Sequence, residues 1–562
     1  MRRLGAAVVA TLHGVGVTLT PGALVAAAQA SLSTEEYPLT TVLAHAALAC
    51  PDVPTHHQAL AHGLLAVVTD DPEHRASASA LAAQLGPEHA DIAERVRSVR
   101  PRLLPRGETD AIRQASNALG NDSLATTAQH LLPLVEPLEA DGDDLIRGYA
   151  RLLRASCRAS LEIEEFRAGL QMMLSHLRSR SAQGTDPIVA RAGLRNALLF
   201  LAKDGSPEAA RLAVEYLESR ADLGIGALDD EDFVGGNAAP AAVAAALGLD
   251  AADHGKWLSA DEVLTRSAGS HLLYLRAEGH LRSGSALWAC HVTPSGGVGI
   301  HLRTVTGAAA PALAALGSGD LMRVAPISRS AVNEVGRLAL PDSLVDAISN
   351  SGDGHLTLTV VPDAATWAIP WSVIAHPQLG PLSARCDISV TPSVHTLRTR
   401  PQRALISTGA VEAFIDRRIP AGAALESRLA RFTTATTMAD IQVVYGHGAG
   451  QDLAFGVDTG GEVVDAFSVN PAEIVILASC RSGTRSPSPM PLGLVSATML
   501  RGATTVIAGL WDLPTDSTAR ITGDVVELLL TGSSPASALR QATDGLDLPW
   551  PNWAGLGIFG WA

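Results

Sequence analysis

Two short apolar runs late in the chain limit its fold more than any other feature. Ile441-Gln442-Val443-Val444-Tyr445 and Ile474-Val475-Ile476-Leu477-Ala478-Ser479 are too short for core helices and rich in β-branched residues. Such runs read as buried strands, and strands covered on both faces belong to parallel sheets under helices. Each run opens into a glycine-containing loop. The first is followed by Gly446-His447-Gly448-Ala449-Gly450, the second by Cys480-Arg481-Ser482-Gly483. The carboxyl ends of parallel strands line a crevice in folds of this kind. Two neighbouring strands ending in this way would set an imidazole beside a thiol.

That pair is the minimum equipment of a cysteine nucleophile. A free thiol titrates near about 8.5, and a neighbouring imidazole can take its proton or hold the thiolate as an ion pair. The glycines beside His447 would let a peptide approach the backbone. The amides of Gly448 and Cys480 would form an oxyanion hole. This chemistry calls for no metal or cofactor. The alternative is structural. His-Gly recurs at His13-Gly14, His62-Gly63 and His254-Gly255, and free cysteine commonly packs as a small hydrophobe, the expectation for Cys50, Cys157 and Cys290. From pattern alone, His447 and Cys480 are either a dyad or two satisfied core residues.

The texture of the chain changes along its length. Up to about residue 225 it reads as helix after helix. Leu145, Tyr149, Leu152 and Leu153 mark one apolar face, and Ile163, Phe166, Leu170, Met173, Leu174 and Leu177 the next. Ser206 as cap and Pro207 open another helix. Paired helices of this sort resemble tetratricopeptide-type arrays, with Met172 and Met173 as core filling. A joint follows, with the acidic Asp229–Asp232, the flexible Gly235-Gly236-Asn237 and an Ala-rich helix from Pro240. From Leu272 strands take over. Leu272–Leu275, Ala286–Ala289 and Gly297–Leu302 predict an antiparallel meander, and strands then alternate with helices to the end, as in an α/β sandwich.

From about Leu272 onward the chain resembles a CHAT domain, of the caspase–separase superfamily of cysteine peptidases. The matching segments come in order: Leu356–Asp363 with Ile369-Pro370-Trp371; Thr391-Pro392-Ser393; Tyr445-Gly446-His447-Gly448; Leu477–Gly483, with the nucleophile at Cys480; Met499–Ala503 with Gly509–Asp512; and Asn552–Gly560. They span roughly half the chain. The resemblance implies a fold: an N-terminal all-α, helical-repeat-like region (1–225), a joint (226–265) and a C-terminal α/β caspase-like CHAT domain with a mainly parallel sheet (266–562, its catalytic part 401–562). It also implies Cys480 and His447 as catalytic residues. The family's acidic residue and Thr after the nucleophile are here Arg481 and Ser482, and the loop Thr484–Pro491 has its own composition. In the superfamily the loop after the Trp511 strand shapes the substrate pocket. Asp512 and Asp516 would therefore read a basic residue before the cut, as in separase, unless Asp516 only caps the helix starting near Ser517. A caspase-like preference for Asp would instead use Arg481 or Arg485.

Charge and cysteine content narrow the setting. The 562 residues exceed one core, so several domains are expected, and the net charge of −15 argues against nucleic-acid binding. Lys203 and Lys256 are the only lysines beside abundant arginine and alanine, a coding bias of GC-rich bacteria. Five scattered cysteines form no disulfide framework and suit a reducing cytoplasm. Residues Met1–Leu19 superficially resemble a secretory leader, but His13 and several glycines dilute the apolar stretch, and no run reaches membrane-spanning length. The expected protein is a regulated cytoplasmic cysteine endopeptidase that cuts a protein substrate, with an activating partner bound by the helical half. Family analogy adds a bacterial defence or cell-death setting. The competing readings are a catalytically silent scaffold and a peptidase that cuts only itself.

Overall fold

The computed structural model describes residues 20–33, 37–69, 72–97, 128–129, 132–133, 135–136, 144–157, 161–178, 197–221, 257–267, 269–277, 286–305, 307, 309–317, 320–352, 355–363, 365–397, 409–432, 439–449, 456–465, 471–484 and 494–561. The leader-like stretch 1–19, the acidic run Asp229–Asp232, Gly235–Asn237, the Ala-rich segment after Pro240, and Arg485 with the rest of its loop to Pro491 lie outside the described residues. Among the described residues the chain divides into two units, and the division falls between Asp204 and Gly205.

The first unit is helical. Consecutive helices pair: Pro21–Ser33 with Tyr37–Ala49, Thr55–Thr69 with Pro72–Ala82, and Asp144–Ser156 with Ile163–Arg178. In the last pair the predicted faces are the buried ones. Tyr149, Leu152 and Leu153 are fully enclosed, as are Phe166, Leu170, Met173 and Leu174. Cys50 is buried as expected, whereas Cys157, at the end of its helix, is only half-buried.

The second unit begins with α1 (Pro207–Ala221), where the Ser206 hydroxyl accepts the Ala209 amide at 3.1 Å. The sequence pattern groups this helix with the helical region. Its buried carboxylates explain why it belongs with the sheet instead. Glu215 accepts the Trp257 indole N–H at 2.9 Å and the Ala260 amide at 3.3 Å. Glu218, with no exposed surface, accepts the Tyr274 hydroxyl at 2.9 Å, the Ser393 hydroxyl at 2.6 Å and the His395 amide at 3.2 Å. A buried carboxylate needs such donors, so the helix and the sheet specify each other.

The strands are β1 (His271–Ala277), β2 (Ala286–Val292), β3 (Val298–Thr304), β4 (Leu356–Val361), β5 (Ala375–His376), β6 (Gly380–Pro381), β7 (Cys386–Val390), β8 (Val411–Ile415), β9 (Ile441–Tyr445), β10 (His447–Ala449), β11 (Gly456–Asp458), β12 (Val463–Asp465), β13 (Ile474–Ala478), β14 (Thr505–Gly509) and β15 (Leu556–Gly560). Ten of them form one sheet in the order β3-β2-β1-β4-β7-β15-β14-β13-β9-β8. The meander β1–β3 is antiparallel, as the sequence predicts, and most of the remaining pairs are parallel. β15 is the exception, antiparallel to β14. Asp363, after β4, ties this sheet to its neighbours: it receives the Ala277 amide at 2.5 Å and the Thr366 hydroxyl at 2.7 Å.

Helices α2 (Pro420–Leu429), α3 (Leu494–Arg501), α4 (Thr515–Leu530) and α5 (Pro535–Thr543) complete the C-terminal part of this unit. Ile441, Val443, Tyr445, Ile474, Ile476 and Ile507 form one core with Leu425, Leu429, Val526 and Leu539 of α2, α4 and α5. Every residue of β9, β13 and β14 is buried. That is why these strands read as runs without alternation.

Candidate active site

β8, β9, β13 and β14 are mutually parallel, so their carboxyl ends open on the same edge. Asp416, His447, Cys480 and Asp512 follow those four strands in that spatial order. Tyr445 pairs with Ala478 across β9 and β13. His447 and Cys480 each come two residues after this pair, just beyond the ends of β9 and β13.

His447 does not sit in a simple loop. It begins β10, which forms a small antiparallel sheet with β11 and β12, and it pairs there with Asp458. This little sheet lies on the connection from β9 to β13. Gly446 is required by that packing rather than by a substrate: a Cβ there would lie 2.1 Å from the Asp458 carbonyl oxygen. The His447 side chain is exposed.

Cys480 is half-buried in the turn after β13. Its Sγ accepts the Leu513 amide at 3.3 Å and lies 3.8 Å from the Leu513 carbonyl oxygen. Burial pushes the thiol above its ordinary range, while the Leu513 N–H opposes that shift. Asp512 adds to it and Arg481 pulls against it. The Cys480 amide turns toward its own thiol and, among the described residues, donates to no other backbone carbonyl. The turn is held from below: the Ser482 hydroxyl lies 2.7 Å from the Leu477 carbonyl and accepts the Gly509 amide at 2.9 Å, and Gly483 N–H donates to Gly509 O at 2.7 Å. Gly509 permits this closeness, because a Cβ there would meet the Ser479 carbonyl oxygen at 2.4 Å.

The sequence sets Arg481 and Asp512 against each other as readers of opposite substrates. In the structure they form a bidentate ion pair, Nε to Oδ1 and Nη2 to Oδ2, both 2.8 Å. Asp516 sits exposed in the first turn of α4, which starts at Thr515; it is neither the cap nor in contact with Asp512 in any described hydrogen bond. Its carboxylate suits the positive end of the helix dipole.

Sequence pattern misses the charged group beneath His447. Asp416 is fully buried, and its carboxylate takes the Arg418 amide at 2.9 Å and the Arg418 guanidinium at 2.9 and 2.8 Å. Arg418 also reaches Asp458 at 3.0 Å. The Arg418 hydrogen bond holds the Asp416 carboxyl below the usual range, with His447 acting in the same direction. A signal exists, since Asp416 follows the run Val411–Ile415 as His447 follows Ile441–Tyr445. Leu513 has none, because it acts through its backbone. Among the described residues no group of three or more His, Cys, Asp or Glu side chains could hold a metal ion.

Residues 455–548 match the CHAT domain family model, a span that begins after His447 and includes Cys480, Arg481, Asp512 and Asp516. Two crystal structures of the Saccharomyces cerevisiae separase–securin complex resemble the chain at 10% identity, with TM-scores of 0.48 and 0.50. Each covers 96% of this chain and 47% of the other, so this chain spans about half the length of that one. No curated protein matches it. The fold is therefore caspase-like: a helical N-terminal region followed by an α/β unit with a mainly parallel sheet.

Proposed function

We propose, taking the CHAT match and the separase-like fold as premise, that the chain is a cysteine endopeptidase using Cys480 and His447. The observation that carries this reading is the register of β9 with β13, which aligns Tyr445 with Ala478 just ahead of the two residues. Cys480 Sγ attacks the scissile carbonyl carbon, and its proton passes to the His447 imidazole. The Cys480 and Gly448 amides hold the oxyanion. The tetrahedral intermediate collapses, the amine leaves with the proton from His447, and a thioester remains. His447 then takes a proton from water, which releases the carboxylate and the free thiol.

Asp512 is the residue we assign to reading the substrate, which favours cleavage after a basic residue. It directly precedes Leu513, whose amide touches the sulfur. The substrate is a protein, the helical N-terminal region binds an activating partner, and a bacterial defence or cell-death pathway is the setting the resemblance suggests. The five cysteines are all unpaired, which suits a reducing cytoplasm.

An acyloxymethyl-ketone peptide probe tests the dyad on the full chain. Labelling should fall on Cys480, vanish in Cys480→Ala, and slow by about 10²–10⁴-fold in His447→Ala. One observation favours the silent-scaffold reading: the sulfur's described partner is the Leu513 peptide unit and burial favours its neutral form. Labelling at an undiminished rate in His447→Ala, or none with any activating partner, would decide for the scaffold.

A further inference from the structure

Arg481 is held in an unusual state for its residue type. Its φ is +56°, in the left-handed region, shared among the described non-glycine residues only with Asp52. Left-handed backbone is unfavourable for a side chain with a Cβ and persists where surroundings enforce it. Two contacts enforce it here. The Arg481 amide donates to the Trp511 carbonyl at 3.2 Å, and the guanidinium grips both oxygens of Asp512. Both side chains remain partly open, 47% and 37% exposed. A pair this open to solvent can be reached by a competing guanidinium, which can match its bidentate geometry.

The position matters as much as the pair. Arg481 directly follows Cys480, and Asp512 directly precedes the Leu513 peptide that touches its sulfur. A peptide seated for attack must pass beside this ion pair. We propose that Arg481 is a built-in stand-in for a substrate arginine: it occupies Asp512 at rest, and the arginine of an incoming peptide displaces it. This inference rests on the assignment of Asp512 as the substrate-reading residue.

The exchange is chemically balanced. One planar fork replaces another on the same carboxylate, so Asp512 is never left unpaired, and lysine, lacking the fork, competes less well. The charge pattern at the sulfur is also kept, because Asp512 disfavours the thiolate and a guanidinium beside it compensates. Asp320, which caps the helix Leu321–Val324 through the Met322 amide and pairs with Arg323, also attracts Arg481 electrostatically. No bond is made or broken in the swap.

Binding to the full chain carrying Cys480→Ala tests this without requiring catalysis. The probes are a dye-labelled Ala-Ala-Arg amide and its citrulline twin, which has the same shape and no charge. Adding Arg481→Ala should tighten the arginine probe at least tenfold and leave the citrulline probe unchanged. Adding Asp512→Asn should abolish that gain, and a lysine probe should gain less than the arginine probe. Thermal melting confirms that each variant is folded. Equal changes for both probes, or no arginine-dependent binding in any variant, would overturn the stand-in. Failure of the dyad would appear elsewhere, as unlabelled Cys480 in the wild type.

In the unmodified thiol, Arg481→Ala should also slow alkylation by neutral iodoacetamide, because Asp512 then faces the sulfur uncompensated. An unchanged or faster rate counts against the exchange.

Discussion

Ser482 does more for the turn that carries Cys480 than its size suggests. Its hydroxyl joins the end of β13 to the Gly509 amide at the end of β14. Ser482→Ala would leave that buried N–H without a partner, a loss of about 1–3 kcal/mol. Urea unfolding should show it, together with a slower labelling of Cys480, whereas Ser482→Thr, which keeps the hydroxyl, should remain close to wild type in both. Side chains with chemistry of their own are legible in the sequence, and His447 and Cys480 announce themselves by type and by the runs ahead of them. Arg481 and Asp512 are legible as charges but not as partners. Their pairing depends on β14 lying beside β13 and on one left-handed residue, and neither is written in local pattern. The Leu513 amide is common to any residue at that position.

The meander β1–β3 carries a different kind of site. His271 Nδ1 lies 2.9 Å from His291 Nε2, and His291 Nδ1 lies 3.0 Å from the Ser343 hydroxyl. Burial pushes His291 down to about 4, with His271 and His301 adding to it, and burial lowers His271 and His301 as well. Between about pH 6.5 and 4 the unfolded chain binds the extra proton, so this stability is present above 6.5 and lost as pH falls. The loss at pH 4.5 from His291 alone is about 2–3 kcal/mol. Urea midpoints at pH 7 and 4.5 should differ accordingly, and His291→Leu should flatten the difference. The strands themselves are legible from Leu272–Leu275, Ala286–Ala289 and Gly297–Leu302, because alternation and turn residues are local. The histidine contact is not, since it requires the β1–β2 register that pairs Leu273 with His291.

At the scale of the molecule, the useful boundary lies ahead of α1. A fragment of residues 205–562 retains Glu215 and Glu218, while 226–562 strips the Tyr274 and Ser393 hydroxyls of their carboxylate. Buried donors left alone cost about 1–3 kcal/mol each. The longer fragment should unfold in one cooperative transition at a higher denaturant midpoint than the shorter, as followed by tryptophan fluorescence. Helix periodicity shows that α1 exists but not which half owns it, because its apolar face reads the same against either neighbour. The buried acids on that face are the clue that periodicity passes over.

The place of β15 carries a consequence for the continuity of the sheet. Residues 556–560 fill the gap between β7 and β14, at the heart of the ten-stranded sheet. Without this strand the sheet would part into β3-β2-β1-β4-β7 on one side and β14-β13-β9-β8 on the other, with no ladder between them. One short segment thus decides whether nine other strands make a single surface or two.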